Sequence, residues 1–157
     1  MKKLTFVVLV WNEVKTIRQA INDVKNIKYS NKEIIVIDNA STDGTKEILK
    51  TIKNVKIIYR KKNLGAGRSI LTGIEKAKGD YIFTQFSDLE YDHLRSIDMM
   101  NYAIKNNFDI VFGSRLKNKK SIMKLVYEKP SYLATILTTF LINIFYKKKF
   151  TDIIGAK

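Results

Sequence analysis

Short, nearly continuous apolar runs alternate along this chain with longer segments in which apolar residues recur every three or four positions. The runs are typical of buried β-strands, and the segments are typical of amphipathic helices. The predicted strands cover residues 4–10, 33–37, 55–59, 81–85 and 110–112. The predicted helices cover residues 13–27, 42–52, 65–77 and 94–105. This alternation predicts an α/β fold with a mostly parallel central sheet that helices cover on both faces.

Polar residues or glycines follow every predicted strand at its carboxyl end. They are Asn12 and Glu13, Asp38, Asn39 and Asp43, Asn63, Gly65 and Gly67, Asp88 and Glu90, and Ser114 and Arg115. In open α/β sheets, ligands bind at this edge. Because the pattern recurs after each strand, the set as a whole predicts a ligand site more strongly than any single motif does.

The densest group of acidic residues lies in the run GDYIFTQFSDLEYD, residues 79–92. Asp88, Glu90 and Asp92 come directly after the fourth predicted strand. Three neighbouring carboxylates repel one another unless a cation lies among them. Hard divalent metals, with the sugar or phosphate groups that they hold, are the usual partners. A second interpretation stays open, in which Asp88 caps the next helix and the other acids face solvent.

Two further motifs have both a ligand-binding and a structural interpretation. In IDNASTDGT, Asp38 is suited to accept a hydrogen bond from a ribose or base edge, and Ser41 or Asp43 is suited to cap the following helix. In NLGAGRS, Gly65 and Gly67 allow close approach of a ligand at a helix N-terminus, which favours phosphate. A simple turn is the alternative for the glycines.

The composition limits the possible partners. The chain of 157 residues is long enough for one domain with a real core, it has no Cys, and His93 is its only His, so Cys-ligated and His-rich metal sites are excluded. The 29 Lys and Arg residues against 15 Asp and Glu give a net charge of +14, which indicates an anionic partner such as a nucleotide, a nucleic acid or a lipid surface. The aromatic residues fall mostly in apolar runs instead of among the basic ones, so a nucleic-acid-binding α/β domain is supported by charge alone.

Residues 131–146 carry no charge, are rich in Leu, Ile and Phe, and are followed by Lys147, Lys148 and Lys149. This run is shorter than the roughly 20 residues of a membrane-spanning helix. An apolar helix beside a basic cluster is suited to a membrane interface, so we predict such a helix over residues 131–149. The lack of Cys is compatible with a reducing compartment, and we expect a cytoplasmic protein, peripheral on the cytoplasmic membrane face. For residues 131–146, an ordinary core helix is the alternative to a helix at the membrane interface.

Taken in order, these motifs resemble those of family 2 glycosyltransferases of the GT-A fold, especially the enzymes that transfer a sugar to a polyprenyl phosphate. The matching runs are WNE, IDNASTDGT, NLGAGRSILTGIEKAKGD, DLEYD, DIVFGSR and TDIIGAK, and they cover essentially the whole chain. The resemblance implies a single catalytic domain over residues 1–157 with a Rossmann-like three-layer fold. It also implies inverting transfer of a hexose from a nucleotide-diphosphate sugar to an acceptor, here a polyprenyl phosphate, with Mg²⁺ or Mn²⁺ as cofactor.

The resemblance assigns roles by position. The residues implied for the nucleotide site are Val10, Asn12, Glu13, Asp38, Asn63 and Gly65. Asp88 and Glu90 are implied as metal ligands, and Asp88, Arg115 and Asp152 as catalytic residues, with a structural role as the alternative for Asp152. The metal would neutralise the diphosphate leaving group. A lipid phosphate is already ionised near neutral pH, so it needs no strong general base.

Arg115 is suited to clamp a phosphate through two parallel hydrogen bonds, and an exposed basic residue is the alternative. The other cations expected to hold the acceptor phosphate are Lys117, Lys119 and Lys120.

The chain departs from the family pattern at three positions. Phe86 replaces the first Asp of the usual Asp-any-Asp motif, Trp11 replaces a Tyr, and Asn39 replaces a second Asp. Because magnesium commonly needs only one or two protein carboxylates, Asp88 and Glu90 could suffice. Phe86 also supports the alternative of a degenerate, non-catalytic domain that binds nucleotide or lipid. The family pattern continues past TDIIGAK, so we expect the chain to lack part of the acceptor site or a membrane region.

Overall fold

The structure is a computed structural model that describes residues 1–89, 95–114, 127, 130–147 and 149–152. The chain divides into two compact units, residues 1–101 and residues 102–157. Each unit is described by itself below.

The first unit is built on a parallel sheet. Its strands are β1 (Leu4–Val10), β2 (Lys32–Asp38), β3 (Lys56–Tyr59) and β4 (Tyr81–Phe86), in the order β3-β2-β1-β4. All three pairings are parallel. The predicted mostly parallel α/β fold is confirmed. All seven residues of β1 are buried, because β1 is an inner strand with both faces covered.

Helices cover the two faces of the sheet. The helices among the described residues up to residue 106 are α1 (Ile17–Asn26), α2 (Thr45–Thr51), α3 (Gly65–Lys76) and α4 (Arg95–Asn106). The boundary between the units falls within α4. Apolar residues of α1, α2 and the start of α4 pack with Phe6 and Val8 on one face. Ile70 and Ala77 pack with Val7 and Leu9 on the other face, which places α3 there. The result is three layers.

Helix α3 lies unusually close to β1. A Cβ atom added at Gly73 would lie 2.2 Å from Cγ1 of Val7, a fully buried residue in the middle of β1. Glycine is therefore needed at this position for close packing. Since α3 carries part of the site described below, this contact helps to set the position of the site.

Polar contacts hold the opposite, amino edge of the sheet. The carboxylate of Glu33 accepts hydrogen bonds from the Thr5 hydroxyl at 2.6 Å and the Lys78 amide at 2.5 Å, and it lies 3.6 Å from the Lys3 ammonium. Burial acts to raise the pKa of Glu33, but these hydrogen bonds and the charge of Lys3 outweigh burial, so the pKa is lower than usual. The Thr5 hydroxyl also accepts from the Gly79 amide at 2.9 Å, which ties the start of β4 to β1.

The strand predicted over residues 110–112 is not formed in the structure, so this prediction was wrong. After α4 ends, Asn107 adopts a left-handed conformation with φ of 52°. The Phe108 ring packs against the Tyr102 ring, with 5.9 Å between the ring centroids. Ile110 and Phe112 are 69% and 73% exposed. Three apolar residues are too few to show the alternation that distinguishes a strand, so composition alone had suggested it.

The apolar run near the C-terminus forms α5 (Ser131–Tyr146), which covers the uncharged residues of the helix predicted over residues 131–149 and ends before Lys147. Thr135 and Thr139 are buried. The exposed apolar side chains of α5 are Leu133, Leu137, Phe140, Leu141, Ile144, Phe145 and Tyr146. Within the part of the chain that the structure describes, no helix has the length and hydropathy needed to cross a membrane.

Candidate functional site

A cleft of about 360 Å³ opens at the carboxyl edge of the sheet in the first unit. Its lining residues come from the ends of β1, β2 and β4, from the loop after β3 and from the start of α3. They are Leu9, Val10, Trp11, Glu13, Asn39, Asn63, Gly65, Ala66, Ser69, Phe86, Ser87 and Asp88. The structure thus brings together Val10, Glu13, Asn63, Gly65 and Asp88 of the residues that the sequence analysis selected.

Asn12 lies between two loops and fixes them to each other. Its backbone is left-handed with φ of 55°, its amide donates to the Ser41 hydroxyl at 2.9 Å, and its side-chain oxygen accepts from the Thr42 amide at 2.8 Å. The Glu13 amide donates to the Thr45 hydroxyl at 2.9 Å. These bonds hold residues 11–13 in a turn, so that Trp11 and Glu13 face the cleft.

Asp43 completes this contact between the loops. Its carboxylate accepts from the Val14 amide at 3.0 Å and from both the amide and the hydroxyl of Thr45, at 3.0 and 2.6 Å. Burial acts to raise the pKa of Asp43, but the hydrogen bonds from Thr45 and Val14 outweigh it and lower the pKa. Asp43 therefore binds the first amide of α2 although the N-cap residue of that helix is Gly44, and Ser41 binds Asn12 instead of capping α2.

Asp38 lies behind the wall of the cleft and does not line it. The side chain is fully buried, and its Oδ1 accepts from the Ser41 amide at 3.1 Å. Its Oδ2 has no hydrogen-bond partner within the residues that the structure describes. Tyr59 of β3 pairs with Asp38 of β2. Burial raises the pKa of Tyr59, and the negative charges of Asp38 and Glu47 raise it further. Asp38 thus supports the turn after β2.

Asn39, the next residue, does line the cleft, and it joins three strand ends. Its amide donates to the Val10 carbonyl at 2.9 Å. Its side-chain NH₂ donates to Oδ1 of Asn63 at 2.6 Å, and its side-chain oxygen accepts from the Leu64 amide at 3.1 Å. Oδ1 of Asn63 also accepts from the Gly65 amide at 2.8 Å. From the sequence, Asn39 was placed among the polar residues at the strand ends and was a departure from the family pattern, but it was given no role in the nucleotide site.

Gly65 begins α3 with φ of 79°, a conformation that side-chain-bearing residues rarely adopt. A Cβ there would meet no atom within 4 Å, so the requirement for glycine comes from the backbone conformation and not from crowding. Ser69, one turn later, donates to the Gly65 carbonyl at 3.2 Å and accepts from the Arg60 guanidinium at 3.3 Å. Arg60 directly follows β3 and Ser69 ends the run NLGAGRS, but neither was selected from the sequence as a site residue.

The acidic end of the cleft is formed by the residues after β4. Phe86 is half-buried against the apolar cluster around Leu9, and Asp88 is exposed. Ser87 is buried, and both its amide and its hydroxyl donate to the Leu9 carbonyl, at 3.2 and 3.0 Å. This anchor places Phe86 and Asp88 on the cleft, on either side of Ser87.

The remaining predicted catalytic and metal-binding positions are Glu90, Arg115 and Asp152. Glu90 and Arg115 lie outside the described residues. Asp152 belongs to the second unit, where it is buried. Over the described ranges, no group of three or more His, Asp or Glu residues is arranged to hold a metal ion. One exposed carboxylate, Asp88, at a cleft open to water fits a Mg²⁺ or Mn²⁺ ion that takes most of its ligands from water and phosphate.

The profile of the family described as "Glycosyl transferase family 2" matches residues 5–156. The chain is 33% identical over 129 residues to a poly-beta-1,6-N-acetyl-D-glucosamine synthase of Staphylococcus aureus. That match covers 76% of this chain but only 30% of the relative, so the chain spans about a third of the length of that protein.

Two solved structures share the fold. The structure of S. aureus TarS residues 1–349 in complex with UDP-GlcNAc aligns with a TM-score of 0.59 and 21% identity, over 74% of this chain and 38% of that one. The mannosyltransferase PcManGT from Pyrobaculum calidifontis, in complex with GDP-Man and Mn²⁺, aligns with a TM-score of 0.55 and 21% identity, over 66% of this chain and 32% of that one. At this identity the alignments establish the fold alone.

Proposed function

Because the chain belongs to glycosyl transferase family 2, we propose that its cleft binds a nucleotide-diphosphate sugar and that the sugar is transferred to an acceptor with inversion at the anomeric carbon. The observation that carries the proposal is the cleft itself, which gathers polar residues from the carboxyl ends of the strands. Open α/β sheets bind ligands at this edge. The volume of about 360 Å³ lies within the usual range for small-molecule sites.

The walls of the cleft suit the parts of such a donor. Trp11 is 55% exposed and offers an aromatic face to a base or a sugar ring. Asn39 and Asn63 offer amide groups, and the start of α3 offers backbone N–H groups. The two similar structures hold UDP-GlcNAc and GDP-Man, which supports a nucleotide sugar as the ligand class.

A Mg²⁺ or Mn²⁺ ion would be held by Asp88, with Glu90 as the second proposed ligand. When bound, such an ion neutralises the negative charge that develops on a diphosphate leaving group. The structure of PcManGT contains Mn²⁺, which supports a divalent cation as cofactor. Phe86 presents an apolar ring beside Asp88 where a further carboxylate would strengthen a cation site, and this favours weak, nucleotide-dependent metal binding.

Two acceptor classes have support. A polyprenyl phosphate is supported by the exposed apolar side chains of α5, by exposed Lys147 and Lys149 after it, and by the net charge of +14, which together suit a protein peripheral on the cytoplasmic membrane face. A growing polysaccharide is supported by the similarity to the poly-beta-1,6-N-acetyl-D-glucosamine synthase. The two classes differ in the chemistry of the attacking oxygen, a phosphate in the first and a hydroxyl in the second.

The test is a thermal-shift panel of nucleoside diphosphates and nucleotide sugars with Mn²⁺, followed by transfer assays with the best donor. A ligand that binds only the folded state raises the melting temperature. We expect at least one nucleotide sugar to do so, and we expect labelled sugar to appear either on a polyprenyl phosphate or on an oligosaccharide. If binding occurs without transfer to either acceptor, the chain is a nucleotide-binding domain and not the transferase. If no nucleotide binds, the proposal fails entirely.

A further inference from the structure

We propose that Asn39 is a positioning residue that holds the start of α3 at the cleft through a hydrogen bond whose direction is fixed. The inference deepens the proposed function, on which its ligand-binding test rests. Asn39 is only 5% exposed, and its contacts reach the end of β1 through Val10, the loop after β3 through Asn63 and Leu64, and hence the first residue of α3, Gly65.

The backbone determines which atom of each side-chain amide is the oxygen. The Gly65 N–H points at one atom of Asn63 at 2.8 Å, so that atom must be an acceptor, the oxygen. The same oxygen lies 2.6 Å from one atom of Asn39, which must then be a donor, the NH₂ group. The other atom of Asn39 receives the Leu64 N–H at 3.1 Å and must be the oxygen. The N–H groups of Leu64 and Gly65 can only donate, so together they fix the orientation of both side-chain amides.

This fixed direction makes the two asparagines unequal. An Asp at position 63 offers oxygens only, and it can still accept from both the Gly65 amide and the Asn39 NH₂ group. An ionised Asp at position 39 would place an unprotonated oxygen against the oxygen of Asn63, where no hydrogen bond can form. Asn63 would then have to turn away from Gly65, or the loop after β3 would have to separate from β2.

The consequence reaches the ligand because Asn63, Gly65 and Ala66 all line the cleft. Gly65 is in turn linked to Ser69, which also lines the cleft. Asn39 thus sets where one wall of the cleft lies relative to the end of β1, which forms another wall.

The test compares two variants that add the same charge at nearly the same place, Asn39→Asp and Asn63→Asp. The affinity for the best nucleotide sugar is measured at pH 7.5 by titration calorimetry. Both variants are expected to bind less tightly than the wild type, because each adds a negative charge near an anionic ligand. Asn39→Asp is expected to bind at least about tenfold more weakly than Asn63→Asp, because only it leaves a buried polar group without its partner.

A pH series separates a directed hydrogen bond from general damage. A protonated Asp at position 39 regains a donor and can bond to Asn63, so the gap between the variants should close as the pH falls from about 7.5 toward the usual Asp pKa of about 3.9. Both variants retain the carboxylates of Glu13, Asp38 and Asp88, so the effects of these groups cancel in the ratio of the two affinities. Equal affinities at pH 7.5, or a gap that does not depend on pH, would refute the inference.

Hydrogen exchange tests the inference even if no nucleotide sugar binds. In the unliganded protein, the amides of Leu64 and Gly65 should exchange faster in Asn39→Asp than in Asn63→Asp at pH 7.5. If Asn39→Asp does not fold, Asn39→Ala replaces it, and faster exchange of the Leu64 amide is expected there as well. Unchanged protection of Leu64 in a folded variant would show that Asn39 does not hold this loop.

Discussion

Gly73→Ala tests whether the close approach of α3 to β1 sets the site. The new Cβ would lie 2.2 Å from Cγ1, 2.9 Å from Cγ2 and 3.1 Å from Cβ of Val7. Carbon atoms in contact normally lie about 3.5–4.0 Å apart. Val7 is fully buried in the middle of β1, so it has no free space to move into, and α3 must move outward instead.

The magnitude follows from two opposing effects. Overpacking of a core typically costs about 1–3 kcal/mol. Replacing glycine by alanine inside a helix returns about 0.5–1 kcal/mol. Because the overlap with Val7 is severe, we expect the clash to exceed the helix gain and the variant to lose about 1–2 kcal/mol, or a few degrees in melting temperature. Since Gly65 and Ser69 at the start of α3 line the cleft, nucleotide affinity should fall as well.

Gly67→Ala is the matched control for this experiment. It makes the same chemical change in the first turn of the same helix, but its Cβ would meet no atom within 4 Å. We expect it to be as stable as the wild type or slightly more stable. Thermal and urea unfolding of the three proteins, followed by circular dichroism, measures the difference. If Gly73→Ala were as stable as Gly67→Ala, the packing account of α3 would be wrong.

Three further predictions concern other parts of the chain. The folded-state pKa of Glu33 is lower than usual, so its charge stabilises the fold above the unfolded pKa of about 4.3. This contribution is lost as the pH falls through the folded pKa. Across pH 3 to 7, the free energy of unfolding in urea should therefore fall less on acidification in Glu33→Gln than in the wild type, by roughly 1 kcal/mol or less. An unchanged acid profile would contradict this. Phe86→Asp should lower the melting temperature without metal. Mn²⁺ with a nucleoside diphosphate should then raise the melting temperature of the variant more than that of the wild type. If Mn²⁺ does not raise the melting temperature of the variant, there is no latent metal site at this edge. Replacing Lys147 and Lys149 by Gln should weaken sedimentation with anionic vesicles by up to about 1 kcal/mol per lysine, in a salt-dependent way, whereas equal binding by the variant would place the membrane contact elsewhere.

The sequence predicted the sheet well because its strands are apolar on both faces and are separated by amphipathic helices. The start of α1 was predicted too early, at residue 13, since residues 14–16 form turns and the helix begins at Ile17. That turn region is held by hydrogen bonds from Glu13 and Val14 to residues after β2, and such long-range contacts leave no trace in local periodicity. The prediction of a strand over residues 110–112 was wrong for a related reason. A strand forms only where a neighbouring strand pairs with it, and such pairing is also a long-range contact.

The location of the site was predictable, but the roles of adjacent residues were not. Asp38 is the last residue of β2 and Asn39 follows it directly, so either residue was a candidate to lie against the cleft. In a strand buried on both faces, the sequence lacks the alternation that would show which one it is. The structure puts Asn39 on the cleft and Asp38 behind it. Similarly, the sequence could suggest Asn12 as a polar residue at a strand end, but not that its side chain is used to join two loops.

Titration calorimetry of a nucleotide sugar on the wild type, Trp11→Ala and Tyr102→Ala shows whether the cleft at the carboxyl edge of the sheet binds this class of ligand. Trp11 and Tyr102 are both 55% exposed aromatic residues, but only Trp11 lines the cleft, and Tyr102 belongs to the second unit. We predict that UDP-GlcNAc or another nucleotide sugar binds the wild type with Mn²⁺ present. Trp11→Ala should lose about 1–2 kcal/mol of binding, roughly tenfold in affinity, and Tyr102→Ala should bind like the wild type. Equal affinity of Trp11→Ala and the wild type, with both proteins folded, would contradict the account.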